Sequence, residues 1–174
     1  MRDFFETVRN RHSIRKYQSD MPVEAEKLHA ILEMACAAPS AGDLQAYRII
    51  VVKKPEVRKA LSNAANDQTF ISEAPVCLVF CTDAQKSMAE YGERGEKLYC
   101  IQDATIAAAY AQLAVVAAGL ASTWIGFFNE KEVSQHLNLE AGLVPVAMLS
   151  MGYPAEIPEA SSRQPLDQVV IEIN

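Results

Sequence analysis

Histidine and cysteine are few and scattered in this chain of 174 residues. His12, His29 and His136 form no close-spaced pair, and Cys36, Cys77, Cys81 and Cys100 show neither zinc spacing nor a redox Cys-x-x-Cys. Cys77 and Cys81 lie on one side of an apolar run, but no further ligand is near them in sequence, so they read as buried thiols and fit a reducing cytoplasm. Glycine is also sparse, at seven residues. There is no Gly-x-Gly-x-x-Gly after a strand, no Gly-x-x-x-x-Gly-Lys loop and no Gly-x-Ser-x-Gly elbow. Nucleotide-loop and serine-nucleophile chemistry in their common forms are thereby excluded, and a site must be assembled from distant segments. Basic charge is in deficit, with 16 Lys and Arg against 22 Asp and Glu, which counts against a general nucleic-acid or anionic-membrane binder. The charged opening Met1-Arg2-Asp3-Phe4-Phe5-Glu6 lacks the apolar run of a secretory signal. No repeat, low-complexity segment or linker interrupts the chain, so residues 1–174 read as one domain, hydrophobic enough to bury a core without staples.

What stands out is a run from Asp103 to Glu130 with no charged residue between its ends. Roughly 20 apolar residues suffice to cross a bilayer, yet Gln112 sits mid-run, Ala outnumbers Leu, and no Lys/Arg cluster flanks either end. The run therefore reads as a buried central helix ending at Gly119, with small residues Ala107, Ala111, Ala114 and Ala118 admitting a second helix closely, from this chain or from a partner. An extended segment, Ser122 to Gly126, follows it.

The remaining elements follow from periodicity and punctuation. Phe4, Phe5 and Val8 mark a short amphipathic helix ending at Arg9. Pro22 at a first-turn position, then Leu28, Ile31, Leu32 and Ala35, predict a second helix that stops near Ala38, before Pro39. Ile49–Val52 is a β-branched strand, Pro55–Ala65 a surface helix, and Asn66–Glu73 a connection. Val76–Cys81, apolar without a break, is a central strand. Lys131–Leu137 is a short helix, and Leu143–Met151 a strand with Pro145 near its start. Val169–Ile173 alternates as a terminal strand in need of a sheet to join. The polar stretch Asp83–Lys97, with Gly92 and Gly95, is a lid whose Tyr91 covers a ligand, or equally a solvated excursion.

Two local clusters carry chemistry. Arg11-His12-Ser13-Ile14-Arg15-Lys16-Tyr17 concentrates cations, a hydroxyl and an imidazole in an acidic protein. Forked guanidinium donors suit phosphate oxygens, although a solvated basic turn accounts for the same residues equally well. Pro39-Ser40-Ala41-Gly42-Asp43-Leu44-Gln45 feeds a strand and offers polar side chains that read a ring edge. Taken locally, an ordinary connection rich in turn formers explains it better.

The order Arg-His-Ser-x-Arg-x-Tyr, Pro-Ser-Ala-Gly-Asp-x-Gln, Gly-Leu-x-Ser-x-Trp-Ile-Gly and Gly-Tyr-Pro before a late Arg, spread over nearly the whole chain, resembles the FMN-dependent nitroreductase family. The resemblance implies an α+β fold of three α-β-α layers, with a mostly antiparallel sheet, a buried central helix and a C-terminal strand exchanged in a homodimer. It also implies FMN, reduced by NADH or NADPH and reoxidised by a nitroaromatic or quinone-type acceptor in ping-pong hydride transfer, in a cytoplasmic enzyme. By the same resemblance Arg11 and Arg163 bind the FMN phosphate, supported by Ser13 and His12. Arg15 lies toward the ribityl and pyrimidine end, and Pro39, Ser40, Asp43 and Gln45 reach the flavin of the other subunit. Ile125 and Gly126 offer backbone N–H groups to the flavin, with Trp124 fixing that strand. No general acid, base or metal ligand is singled out. Flavin reductases, dehalogenases and flavin-degrading enzymes share the family, and a non-catalytic flavin-binding dimer is the reading outside enzymes. Two departures stand out: Asp43 where many members have Asn, and Ser161 where many carry Lys.

Overall fold

The computed structural model describes residues 3–158 and 161–173. Four strands, β1 (Tyr47–Val52), β2 (Val76–Asp83), β3 (Ala121–Ile125) and β4 (Leu143–Gly152), form one sheet in the order β1-β2-β4-β3, antiparallel throughout. The uninterrupted apolar run of β2 has its reason here. Leu78 and Phe80 point into one apolar cluster and Cys77, Val79 and Cys81 into another, so the strand is buried on both faces. Opposite Phe80 and Cys81 the pairing skips Val146, giving a bulge beside Pro145, where a residue without an N–H costs no ladder bond.

On the first face lie α2 (Ala25–Cys36) and α6 (Cys100–Ala117). Leu28, Ile31 and Ala35 bring the stripe of α2 against Ala104, Ala107, Ala108 and Ala111 of α6, whose small side chains let backbone, sheet and neighbouring helix approach closely. By length and composition alone α6 with the helix before it is apolar enough to cross a membrane. Its wholly buried residues are instead in the main core cluster against the sheet. On the second face α3 (Pro55–Ala64), the short α4 (Phe70–Glu73) and α7 (Glu130–Leu137) cover Val79 and Met148 through Leu61, Ile71 and Val133. These are the three α-β-α layers of an α+β fold. Helix α1 (Phe4–Asn10), capped by Asp3 accepting the Glu6 N–H at 2.8 Å, leaves Phe4, Phe5 and Val8 exposed.

Three expectations are corrected, and the expected terminal strand meets no sheet among the described residues. Pro22 precedes rather than opens α2, because Val23 turns into the core and the helix begins only after Glu24. The connection 66–73 contains α4. The polar stretch after β2 is helical: α5 (Ala84–Arg94) breaks at Gly92, whose φ of 57° and ψ of −147° are open only to glycine, and a π-turn over Gly95–Tyr99 leads directly into α6. The C-terminal residues form no strand within the chain. A single helical turn, α8 (Leu166–Val169), gives way to extended backbone that pairs with none of the described residues, and Ile171 and Ile173 stay almost fully exposed.

Candidate functional site

The basic segment after α1 is not a free turn. Ser13 bridges Ser122 in parallel, the Ile14 N–H donates to the Ser122 carbonyl at 3.1 Å, and Thr123 Oγ1 donates to the Ile14 carbonyl, so residues 13–14 lie along the outer edge of β3. Tyr17 then locks the segment down. Its hydroxyl donates to the Ile14 carbonyl at 2.6 Å and meets Ser150 Oγ at 2.9 Å, and burial pushes its pKa up to about 12. Beyond it, the Gln18 N–H donates to the Tyr153 carbonyl and the Ala155 N–H to the Lys16 carbonyl, both at 2.9 Å. Gly-Tyr-Pro is thus the clamp that holds the basic segment to the end of β4. The Tyr153 hydroxyl also donates to Glu24 Oε1 at 2.6 Å while Lys27 Nζ donates to Tyr153, tying α2 to the same corner.

With backbone and core side chains committed, Arg11, His12, Ser13 and Arg15 turn outward into a cleft of 660 Å³ that Ser161 and Arg163 close from the far end of the sequence. Arg163 Nη1 donates to Ser161 Oγ at 2.7 Å, and the Arg15 guanidinium lies 5.9 Å from the centroid of the Phe70 ring. Three guanidiniums facing one space in a chain of net charge −6 make a local positive field suited to an anion. Glu156 also lines it, accepting the Arg15 and Lys16 N–H groups at 2.6 and 3.2 Å. Sequence reasoning missed Glu156, since nothing local marks a carboxyl that pairs with backbone 140 residues away.

Pro39, Ser40, Asp43 and Gln45 are elsewhere. The loop makes a 3-10 turn over Ala41–Asp43, with Gly42 and Asp43 at φ 55° and Gln45 at φ 49°. Such left-handed conformations cost a side-chain-bearing residue about 1–2 kcal/mol. The loop is braced both from within and from outside. Gln45 Nε2 donates to the Cys36 carbonyl at 2.8 Å, the Gln45 N–H to Ser40 Oγ at 2.9 Å, and the Ala41 N–H to Asp103 Oδ1 at 2.9 Å. The Tyr91 hydroxyl lies where a Cβ on Gly42 would fall, so α5 packs directly on the turn. Pro39 and Ser40 share a 510 Å³ pocket with Tyr99, Gln102, Asp103 and Ile106.

Trp124 packs its indole against the main cluster, Ile125 is buried in the second, and Gly126 is exposed just beyond β3. The structure thus brings Arg11, His12, Ser13, Arg15 and Arg163 together, sets the segment they occupy beside β3, and keeps the 39–45 loop apart at the other end of α6. Among the described residues no group of acidic, histidine and cysteine side chains has the arrangement of a metal site.

An antiparallel sheet with helices on both faces, a cleft lined by three guanidiniums from both ends of the chain, and a polar loop held in a strained turn make an α+β protein without a nucleotide-loop motif. The Nitroreductase family profile matches residues 8–72 and 63–153, and the chain belongs to that family. A protein named NADH dehydrogenase from Thermus thermophilus is 34% identical over 92% of this chain and 91% of its own length. FMN reductase (NADPH) of Bacillus subtilis is 28% identical over 99% of this chain and 74% of its own. The solved FMN-dependent nitroreductase of Clostridium difficile R20291 superposes with a TM-score of 0.83 at 30% identity, covering 98% of this chain and 99% of that one.

Proposed function

We propose that this chain is an FMN-dependent oxidoreductase that takes reducing equivalents from NADH or NADPH and passes them to a nitroaromatic or quinone-type acceptor. The observation that carries this reading is the convergence of Arg11, Ser13, Arg15 and Arg163 on one cleft beside β3. The donor set fits a phosphate monoester: forked, permanently charged groups and a hydroxyl, on a backbone already pinned to the sheet. Arg11 and Arg163 would hold the phosphate with Ser13 and His12, and Arg15 would face the ribityl and pyrimidine end. There a cation favours negative charge developing on the ring. Ile125 and Gly126 would present backbone N–H groups to the ring, with Trp124 holding that end of the strand. When bound, the flavin accepts and returns a hydride, and the protein supplies binding, orientation and electrostatics.

The site belongs to two chains in this proposal. Pro39, Ser40, Asp43 and Gln45 would reach the flavin held by a second copy, making a homodimer with two interface sites. Three features support it. Asp103, which holds the loop, and Val116, beside the His12 corner, are roughly 20 Å apart along α6 at 1.5 Å per residue. Phe4, Met34, Tyr110, Leu113, Ala114 and Ala117 line an open apolar groove of 460 Å³. The C-terminal segment carries exposed Ile171 and Ile173 with no sheet of its own, as an arm that pairs with another chain would. A cytoplasmic location fits the four free cysteines.

The test is direct. Purified protein is incubated with FMN, freed of excess ligand, and its flavin released and counted. Retention near one per subunit, with NADH or NADPH consumed in the presence of a nitroaromatic or quinone, is expected. Loss of all flavin, with Arg11→Ala and Arg163→Ala titrating like wild type, refutes the reading. The likeness to FMN reductase (NADPH) favours a second reading, in which free flavin is itself the acceptor. Ping-pong kinetics with a flavin that stays bound while free FMN is reduced would support it.

A further inference from the structure

We propose that Asp103 is a positioning residue for the cofactor-facing loop, acting on the flavin through Ala41 without touching it; the inference rests on the FMN reading of residues 39–45. Asp103 stands in the first turn of α6 and is only 2% exposed. A carboxyl group at such a place ordinarily serves its own helix. Here that service is not needed, because the π-turn runs straight into α6 and the Cys100 N–H already donates to the Gly95 carbonyl. The carboxyl reaches instead across 62 positions of sequence to the Ala41 N–H, and its second oxygen, Oδ2, has no hydrogen-bond partner among the described residues. A buried polar side chain kept half-paired is costly to the fold alone.

What it holds explains the expense. The loop's other bonds are internal, Asp43 N–H to Ser40 carbonyl, Leu44 N–H to Ala41 carbonyl and Gln45 N–H to Ser40 Oγ, or run from Gln45 to its sequence neighbours, the end of α2 at Cys36 and the start of β1 at Tyr47. These bonds set the loop's shape but not its place over α6. Of the loop's hydrogen bonds among the described residues, only the one to Asp103 ties it to the core helix, and it grips the residue between Ser40 and the left-handed pair Gly42 and Asp43. Ser40 and Asp43 can meet a flavin in one geometry only while that bond stands.

Asparagine at 103 keeps an oxygen for the Ala41 N–H and buries no ionisable group; alanine removes the bond. The experiment compares Asp103→Asn and Asp103→Ala with wild type in amide hydrogen exchange of the FMN-free protein, FMN titration and thermal melting. Exchange over residues 41–45 is expected to quicken about tenfold or more in Asp103→Ala with β1 and β2 unchanged. FMN binding is expected to weaken about tenfold in the same variant, with Asp103→Asn within about threefold of wild type in both. Unchanged loop exchange in Asp103→Ala, equal damage in Asp103→Asn, or exchange that rises uniformly with a fallen melting temperature overturns the proposal. Wild type that holds no FMN retires the FMN reading, and with it the cofactor role of Asp103, whatever the loop does. A loosened loop with wild-type FMN affinity retires the positioning role and leaves the FMN reading intact.

Discussion

Replacing Tyr17 by Phe keeps the ring in its cluster with Ile14, Ala74 and Ala121 and removes one oxygen. The Ile14 carbonyl retains Thr123 Oγ1 as a donor, but Ser150 Oγ, wholly buried, loses its partner. A net bond is worth about 1 kcal/mol and an unsatisfied buried hydroxyl costs about 1–3, so the variant should lose about 2 kcal/mol. In a chain of this length that lowers Tm by about 4–8 °C. The pH dependence separates this cause from a packing defect. Burial raises the Tyr17 pKa from 10.0 to about 12. The folded state therefore keeps a proton that the unfolded state releases between those values, and the stabilisation is complete below pH 10 and lost as pH rises through about 12. At pH 11 wild type should have given up about 1.4 kcal/mol of this contribution, which the variant never had. Cys77 and Cys81, also raised by burial to about 12, add a slope of the same sign to both proteins; Cys81 cancels in the difference, and Cys77 enters it only through its minor electrostatic contribution to the Tyr17 shift. Urea unfolding at pH 8 and pH 11 should show the gap shrinking from about 2 to about 0.6 kcal/mol. A gap equal at both pH values refutes the buried-hydroxyl account.

Asp43→Asn, which removes a negative group from the loop proposed to face the ring, should raise the flavin midpoint potential by about 30 mV, equivalent to about 1.4 kcal/mol for two electrons. Dye equilibration reads it, and an unchanged or lower potential counts against the placement of Asp43. Gly42→Ala meets both a left-handed φ and the Tyr91 hydroxyl, so it should cost about 1–2 kcal/mol in urea unfolding. It should also weaken FMN in titration; a variant as stable as wild type would show that the turn relaxes freely. A thiol reagent should modify Cys36 alone in the native protein, since Cys77, Cys81 and Cys100 are buried with raised pKa values. Counting labelled residues by peptide mass before and after denaturation decides it, and native labelling of Cys77 would show that the sheet opens.

What the sequence made legible is whatever local pattern determines. The charge-free run declared α6 and β3, and the unbroken apolar stretch declared a central β2, because burial on all sides leaves no room for polar residues. What it hid depends on distance. Glu156 and Asp103 are ordinary acids in sequence, and their roles exist only once residues 15–16 and 41 arrive beside them. The helical nature of residues 84–94 was masked by polar composition and by Gly92, which marks a kink rather than an end. The terminal alternation of Val169–Ile173 reads as a strand, but a strand is a property of a pair, and among the described residues this segment pairs with no edge. Left-handed φ at Asp43 suits a residue type that tolerates it, but at Gln45 residue type gives no sign of it.

The central helix links these observations. Its Ala104, Ala107, Ala108 and Ala111 are spent on the sheet and α2, while Tyr110, Leu113, Ala114 and Ala117 face the open groove. A helix apolar on every side is thus explained twice, by the core it supports and by the face it offers. The same helix holds the guanidinium-lined cleft and the strained loop at opposite ends, so under the proposed function neither half alone would provide both a phosphate grip and a ring edge. Two copies related by a two-fold axis, with their central helices antiparallel, would set the loop of one beside the cleft of the other. In that arrangement the small side chains that set the distance between helices also set the distance between the halves of the site. Enlarging Ala114 or Ala117 would then act on cofactor affinity and on chain association together, because one contact governs both.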